Sequence, residues 1–306
     1  MTPVAVLITI ASYFLILFTI SYIAGRKADN EGFFVGNRKS AWYVVAFAMI
    51  GSSISGVTFV SVPGMVGISN FSYLQMVLGF VTGQIIIAFV LIPLFYRMNL
   101  VSIYEYLENR FGTSSYKTGA WFFFISKILG AAVRLYLVCL TLQLLVFEPF
   151  HMPFIMNVIL TVALVWLYTF RGGVKSLIWT DSLKTFCLIV SVVLCIYYIS
   201  TDLKLSFTEM FSTVSDSALS HMFFFDNVND KRYFFKQFLA GVFTMIAMTG
   251  LDQDMMQRNL SCKNFKDSQK NMITSGISQF FIILLFLMLG VLLYTFTSVS
   301  YTHLRA

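Results

Sequence analysis

The chain has 306 residues, of which 58% are hydrophobic and only 11% charged, and its mean hydropathy is +0.80. Soluble domains carry about 25% charged residues, so this composition excludes a soluble protein. It predicts an all-α polytopic protein whose partner is the lipid bilayer. The net charge of +7 follows a topological pattern described below, so we predict no nucleic-acid partner.

Eight apolar segments approach or exceed the roughly 20 residues that a bilayer crossing needs. They lie at about residues 4–24, 44–68, 72–96, 118–147, 152–170, 178–200, 234–257 and 271–297. The first has no basic region before it and no small-residue cleavage site after it. We therefore expect a retained helix and not a removed signal peptide.

Basic residues are concentrated in alternate connections between these segments. Those connections hold Arg26, Lys27, Arg38, Lys39, Arg97, Arg110, Lys117, Arg171, Lys175, Arg258, Lys263, Lys266 and Lys270. The positive-inside rule places them in the cytoplasm and predicts a multi-pass protein of the inner (plasma) membrane with its N-terminus outside. In the long outer connection, residues 205–210 fit either a short interfacial helix or a loop.

The second segment is interrupted between Gly51 and Gly64 by glycines, five hydroxyl side chains and Pro63. Unwound main chain at this depth is tolerated only where it is buried in protein or lines a wet cavity. Secondary transporters hold substrate and coupling ion at such breaks near the midplane. The alternative is a continuous helix whose small residues form a tight helix contact.

Catalytic and metal-binding constellations are not evident. Cys139, Cys187 and Cys195 fall within predicted spans, and Cys262 falls in a cytoplasmic connection. The three histidines lie in outer loops and in the tail. We therefore predict no disulfide, no metal site other than one for sodium, and no enzyme activity.

Two polar motifs, Arg171–Lys184 and Gly250–Leu260, flank the sixth and seventh segments. The first contains Gly-Gly-Val-Lys-Ser-Leu-Ile-Trp-Thr-Asp and the second Gln-Asp-Met-Met-Gln-Arg. With the interrupted second segment, they resemble the sodium:solute symporter family over nearly all of residues 1–297. The resemblance implies a leucine-transporter-like inverted-repeat fold in which an extra helix precedes the first repeat.

On this resemblance, residues 1–297 form a single transmembrane symporter domain that is incomplete at its C-terminus and truncated to about eight helices. The second to sixth segments would form the first repeat, and the last two would begin the second. We expect residues 298–306 to be a non-native or truncated tail, since family members continue for several more helices.

The resemblance also implies Na⁺ as coupling ion. The carbonyls of Gly51 and Ile54 would be sodium ligands, and Asp181 would lie on the path of sodium to the cytoplasm. Close packing is the alternative role for Gly51. Lys184 lies three residues after Asp181, a spacing that suits a local ion pair, so a structural role for this acid also stays open.

Arg134 lies near the centre of the fourth segment, where an arginine costs roughly 2.5–3.5 kcal/mol on insertion scales. Its planar fork suits a carboxylate. The structural alternative is an ion pair with a buried acid, and the deep acid in these spans is Asp181. Sialic-acid transporters of the family similarly combine an arginine in this helix with hydroxyls of the broken span. The corresponding substrate-binding candidates are Ser53, Ser55, Thr58, Gln75 and Arg134.

The seventh segment ends in Asp252, Asp254 and Arg258, and the last two have the spacing of a helical ion pair. We expect these residues to hold the helix end and not to bind substrate. Glycines and threonines in this segment indicate a second break, for which the candidates are Gly241, Thr244, Thr249 and Gly250.

The predicted function is a sodium-coupled secondary active symporter that imports a small, carboxylate-bearing organic solute by alternating access. A neutral hexose is disfavoured, because Val77 and Phe80 stand where glucose-type relatives have polar side chains. Two alternatives stay open. One is a symporter-like sensory module of a signalling kinase, and the other is a fragment that is inactive because its sodium site is incomplete.

Overall fold

The computed structural model describes residues 3–25, 40–100, 102–169 and 173–305, and these form an almost entirely helical protein. The first helices are α1 (Pro3–Gly25), α2 (Trp42–Ser53), α3 (Gly56–Ser69), α4 (Tyr73–Ile86), α5 (Ile92–Arg97), α6 (Ile103–Phe111) and α7 (Thr113–Leu142). They are followed by α8 (Phe154–Thr169), α9 (Gly173–Asp202), α10 (Phe207–Ser215), α11 (Phe234–Met245), α12 (Gln253–Asn259) and α13 (Phe265–Arg305).

Five helical stretches within the described residues are long and apolar enough to cross a membrane, and seven if each of two bent pairs counts as one span. The predicted all-α polytopic class is confirmed. The remaining predicted segment, 152–170, corresponds to α8, which has 16 residues. A helix of that length is shorter than the usual crossing.

Two predictions concern chain regions outside or beyond these spans. The basic residues Arg26, Lys27, Arg38, Lys39 and Arg171 lie outside the described residues. At the other end, α13 continues to Arg305. This helix therefore includes most of residues 298–306, which the sequence predicts to be a tail.

A π-helical turn, Ile87–Leu91, joins α4 to α5 because Pro93 removes a main-chain donor. The N–H of Ile92 donates to the carbonyl of Ile87, one residue further back than in an α-helix. Pro93 has no N–H to offer the next carbonyl, that of Ala88. The side-chain amide of Gln269 in α13 supplies the missing donor at 2.9 Å, which fixes α13 against this turn.

The second segment is broken as predicted, with α2 and α3 meeting at a bend of 65°. Between them, Ile54 and Ser55 have extended main-chain angles. A second break of 74° separates α12 from the helix that ends at Gly250. Of the candidates for that break, Thr249 and Gly250 adjoin it, whereas the other two lie inside α11.

Helices α4 and α11 approach closely because each presents a glycine to the other's main chain. A Cβ added at Gly241 would overlap the carbonyl oxygen of Met76, and one added at Gly79 would overlap the carbonyl of Phe238. Small residues at such positions let membrane helices pack through their backbones. This pair of glycines fixes the second bent span, which contains α11, against α4.

Replacing Gly241 with alanine is expected to destabilise the protein by about 1–3 kcal/mol, the usual cost of overpacking. The measurement is the midpoint of thermal unfolding of the purified protein in detergent. Gly64→Ala is the matched control, because nothing lies within 4 Å of a Cβ added there. An equal midpoint shift in both variants would contradict the close approach of α4 and α11.

The long connection between α9 and α11, predicted to be an outer one, contains a short helix, α10, which begins at Phe207 and not at Leu205. Its first turn is a capping box. The Ser206 hydroxyl accepts from the Glu209 N–H at 3.3 Å, and the Glu209 carboxylate accepts from the Ser206 N–H at 2.7 Å. These bonds lower the pKa of Glu209. Of the two alternatives for this stretch, the helix forms.

Candidate functional site

Main-chain oxygens at the first break lack their helical donors. The N–H of Ile54 still donates to the carbonyl of Ile50 at 2.8 Å. The next N–H, that of Ser55, turns to the Thr58 hydroxyl at 3.3 Å. In this described stretch, no main-chain N–H of residues 55–58 donates to a carbonyl of residues 51–54. These carbonyls are therefore available to a cation, as in other broken membrane helices.

Gly51 lies at a close contact between α2 and α9. A Cβ at this position would overlap the Thr185 hydroxyl and would stand 2.6 Å from the carbonyl oxygen of Asp181. The Thr185 hydroxyl in turn donates to the carbonyl of Phe47 at 2.7 Å. Close packing is thus observed at Gly51. It brings the end of α2 against the turn of α9 that carries Asp181.

A buried ionic network is centred on Asp181, whose residue surface is only 2% exposed. One carboxylate oxygen accepts from Lys184 at 2.8 Å, and the other pairs with Arg258 and accepts from Ser52 at 3.0 Å. Arg258 also pairs with Asp254 at 3.2 Å. Both local ion pairs expected from helical spacing are formed, and Arg258 joins them into one network.

The network extends to α7 through Lys127. Its ammonium lies 2.6 Å from a carboxylate oxygen of Asp252 and 3.8 Å from one of Asp254. Asp252 is also the N-cap of α12, accepting from the N–H of Met255 at 3.1 Å. Burial, together with the charge of Asp252, raises the pKa of Tyr104 in α6 to about 12. Helices α6 and α7 are therefore close to the second break.

The three sequence features that carry the family resemblance meet at this network. Ser52 comes from the first break, Asp181 from the Thr-Asp motif and Arg258 from the Gln-Arg motif. The sequence predicts local pairs of Asp181 with Lys184 and of Asp254 with Arg258, and it offers Asp181 as an alternative partner of Arg134. It does not identify the Asp181–Arg258 pair or the role of Ser52. Each motif contributes a polar group to this buried network. Spacing along one helix cannot identify a partner on another helix.

Arg134 lines a cavity of about 530 Å³ between α7 and the start of α3. The cavity also has three hydroxyl side chains, those of Ser55, Ser61 and Thr141, in an otherwise mostly apolar wall. The Arg134 side chain is exposed, and its Nε donates to the carbonyl of Gly130 at 3.0 Å. Among the described carboxylates none forms an ion pair with Arg134. The alternative pairing with Asp181 does not occur.

Two of the predicted substrate residues lie near this cavity without lining it. The Ser53 hydroxyl donates to the carbonyl of Met49 at 2.9 Å, inside its own helix. The Thr58 hydroxyl accepts from the N–H of Ser55 and so helps to shape the break. Of the three predicted hydroxyls, the structure thus brings Ser55 together with Arg134.

Gln75 lies elsewhere, fully buried at the N-terminal end of α4. Its amide nitrogen donates to the carbonyl of Arg232 at 2.8 Å and to that of Ser72 at 3.3 Å. Its amide oxygen accepts from the N–H of Phe224 at 3.2 Å. The bonds to Arg232 and Phe224 hold the connection before α11 against α4, and they leave the side chain directed at main chain and not at the Arg134 cavity.

Replacing Gln75 with alanine is expected to lower the unfolding midpoint while leaving the apparent KM for transported solute unchanged. The reason is that two partly buried main-chain groups, on Arg232 and Phe224, lose the hydrogen bonds that they make to Gln75, at about 1 kcal/mol each. Thermal unfolding and uptake kinetics on the same preparation check this. A raised KM with an unchanged midpoint would instead support Gln75 as a substrate contact.

A model of the sodium:solute symporter family matches residues 33–303. Human sodium-coupled monocarboxylate transporter 2 is 25% identical over 88% of this chain and 43% of its own length. The sodium/sialic acid symporter NanT of Aliivibrio fischeri is 26% identical over 83% of this chain and 50% of its own. The chain thus spans about half the length of these curated relatives.

A solved structure of a Na⁺-coupled sialic acid symporter, in a substrate-bound outward-open state, has the same fold. Its TM-score is 0.82 at 21% sequence identity, over 95% of this chain and 61% of that one. The predicted leucine-transporter-like architecture is confirmed. The family model matches most of the chain, and the matched residues include the three motifs that meet at Asp181. The chain belongs to the sodium:solute symporter family, which is a family of transporters and not of enzymes.

Proposed function

We propose that the protein is a sodium-coupled symporter of the plasma membrane that imports a small, carboxylate-bearing solute by alternating access. One observation carries this proposal. Arg134 of α7 and Ser55 of the first break line the same cavity, so a solute held by the arginine lies beside the interrupted main chain. The N-terminus is placed outside by the distribution of basic residues.

The chemistry of the cavity favours an organic acid. The Arg134 guanidinium is a fixed cation with no carboxylate partner among the described residues, and its fork matches a carboxylate in two hydrogen bonds. Hydroxyls of Ser55, Ser61 and Thr141 can hydrogen-bond polar substituents, and the apolar wall suits a carbon skeleton. The substrates named for two similar proteins, a monocarboxylate and sialic acid, are of this class, whereas that of a third, iodide, is an anion without a carboxylate.

Sodium is the proposed coupling ion, held by main-chain carbonyls of Gly51 and Ile54 at the break. Neutral carbonyl oxygens ligate a hard cation without burying additional charge. Both carboxylate oxygens of Asp181 are already paired with a cation, one with Lys184 and the other with Arg258. Sodium that passes Asp181 therefore competes with these cations for the carboxylate, and displacing Arg258 would loosen α12.

The network around Asp181 is the proposed cytoplasmic closure. It joins the end of α2, the start of α12, α9 and, through Lys127, α7. Both bent spans therefore contribute to it, each with a residue at or beside its break. Opening the cavity toward the cytoplasm requires the Arg258–Asp181 and Lys127–Asp252 pairs to separate. In this way the departure of sodium and the release of solute are coupled.

Uptake into proteoliposomes containing the full chain tests the proposal. A panel of radiolabelled monocarboxylates and sialic acid is offered with and without an inward sodium gradient, alongside the neutral methyl ester of each acid. We expect gradient-dependent accumulation of at least one acid and none of its ester. Equal uptake of acid and ester would overturn the carboxylate assignment. Uptake indifferent to sodium would overturn the coupling.

A further inference from the structure

A second groove lies on the surface of the helical bundle, far along the chain from Arg134. It has a volume of about 710 Å³ and runs between the α4–α5 π-turn region and the first turns of α13. One wall is formed by Phe89, Val90, Pro93 and Arg97, and the other by Phe265 and Gln269. None of these residues belongs to the Asp181 network or to the Arg134 cavity.

The floor of this groove is closed by contacts between the two walls. The hydroxyls of Tyr96 and Ser268 are 2.8 Å apart, and the ring of Tyr96 meets that of Phe265 edge to face. Further into the membrane, the bond from Gln269 to the carbonyl of Ala88 ties the same helices together. The groove is therefore a shallow channel open to the outside of the bundle, with its length along the helix axis.

The lining changes from apolar to cationic along that axis. Phe89 and Val90 are 61% and 60% exposed, and Arg97 ends α5 where the chain leaves the membrane. The eight residues between Phe89 and Arg97 span about 12 Å at 1.5 Å per residue. One leaflet of hydrocarbon is about 15 Å deep. The apolar part of the groove thus reaches most of the way through a single leaflet.

Basic residues lie at one end of the groove, Arg97 in its wall and two lysines beside it. Lys266 and Lys270 are exposed. Each comes one residue after a groove residue of α13, Phe265 or Gln269, and is therefore turned by about 100° around the helix from it. In the part of the chain that the structure describes, no carboxylate forms an ion pair with Arg97 or with either lysine. The acid in the same turn, Asp267, is engaged in mutual hydrogen bonds with Asn264.

We propose that this groove binds one anionic phospholipid of the cytoplasmic leaflet. Its phosphate pairs with Arg97, within reach of the lysine side chains, and one acyl chain lies along Phe89, Val90 and Pro93. Basic pockets between membrane helices on the cytoplasmic side bind such headgroups, because that leaflet is rich in anionic lipid. The apolar channel below the cation distinguishes a lipid from a soluble phosphate.

Native mass spectrometry of the detergent-purified full chain tests the proposal. The protein is titrated with dioleoyl phosphatidylglycerol or with dioleoyl phosphatidylcholine, which have the same acyl chains. A cation near the membrane surface favours anionic lipid by about 1 kcal/mol, which is about fivefold in affinity. We therefore expect at least about fivefold tighter binding of the first phosphatidylglycerol. Equal affinity of wild-type protein for the two lipids would overturn the proposal.

Two variants locate the site. Arg97→Gln should weaken phosphatidylglycerol about fivefold and leave phosphatidylcholine unchanged, whereas Arg110→Gln, on exposed helix α6, should alter neither. Val90→Trp should fill the channel and weaken both lipids without changing any charge, so it tests the groove even if Arg97→Gln fails to fold. Phosphatidylglycerol binding that survives both changes would overturn the proposal.

A competition experiment with soluble phosphates distinguishes a lipid site from a site for free phosphate. Inorganic phosphate and glycerol 3-phosphate, at the lipid's concentration, should neither bind measurably nor displace phosphatidylglycerol, since they cannot use the apolar channel. Displacement at equal concentration would show a soluble-phosphate site and contradict the assignment. Absence of any bound lipid would indicate that another protein segment fills the groove, and it would also contradict it.

Discussion

Replacing Arg258 with alanine is expected to cause the largest loss of stability of any single change in the described network. It removes one of the two cations that neutralise Asp181, which is 2% exposed, and leaves this carboxylate with Lys184 alone. Breaking a buried ion pair by removing one partner costs about 3–5 kcal/mol. The unfolding midpoint in detergent should fall sharply, and sodium-driven uptake should be lost.

A double variant distinguishes the cost of leaving Asp181 without Arg258 from the cost of removing the arginine side chain itself. Adding Asp181→Asn to Arg258→Ala removes the unpaired charge as well, so the midpoint should recover partly toward that of the wild type. Uptake should stay absent, since the acid that we propose to lie on the path of sodium is also gone. Arg110→Ala is the control for removing an exposed arginine. Strictly additive midpoint shifts would show that Arg258 and Asp181 do not interact.

Replacing Arg134 with alanine is expected to reduce kcat/KM for an acidic solute by about 30-fold or more while leaving the unfolding midpoint close to that of the wild type. Truncating one partner of a desolvated charge pair costs about 2–5 kcal/mol of binding. The fold should tolerate the change, because Arg134 is exposed and its side chain bonds only the carbonyl of Gly130 in its own helix. Uptake kinetics and thermal unfolding on the same preparation check both statements.

Arg134→Lys tests whether geometry matters beyond charge. A lysine keeps the positive charge but cannot form the two parallel hydrogen bonds of a guanidinium, so we expect partial recovery of uptake. Arg110→Ala again serves as the control outside the cavity. Unchanged uptake of acid by Arg134→Ala would remove the carboxylate proposal, although the family membership would stand.

The convergence of Ser52, Asp181 and Arg258 gives a physical account of why the three motifs occur together in one chain. A buried carboxylate is tolerated only when cations and donors on neighbouring elements satisfy it. Here these come from both bent spans and from α9 itself. Loss of Asp181 or Arg258 therefore leaves a buried charge on another helix without one of its partners.

Sequence alone was sufficient for the membrane class, because hydropathy and the scarcity of charge are properties of composition and not of folding. It also indicated the first break, since glycines, hydroxyls and Pro63 weaken a helix locally, but it left a continuous, tightly packed helix as the alternative. The ion pairs Asp181–Lys184 and Asp254–Arg258 followed from helical spacing. For the second break the candidates were Gly241, Thr244, Thr249 and Gly250, and the structure has it directly after the last of these.

Tertiary structure alone decided which polar groups meet. No periodic pattern links Asp181 to Arg258, which is 77 residues away along the chain. Nor does one separate Gln75, which anchors the connection before α11, from Ser55, which lines the cavity. Such contacts depend on how helices pack, and this depends in turn on close approaches such as those at Gly51 and Gly241. Local sequence determines where helices form and break, whereas only their packing determines which charges are neutralised.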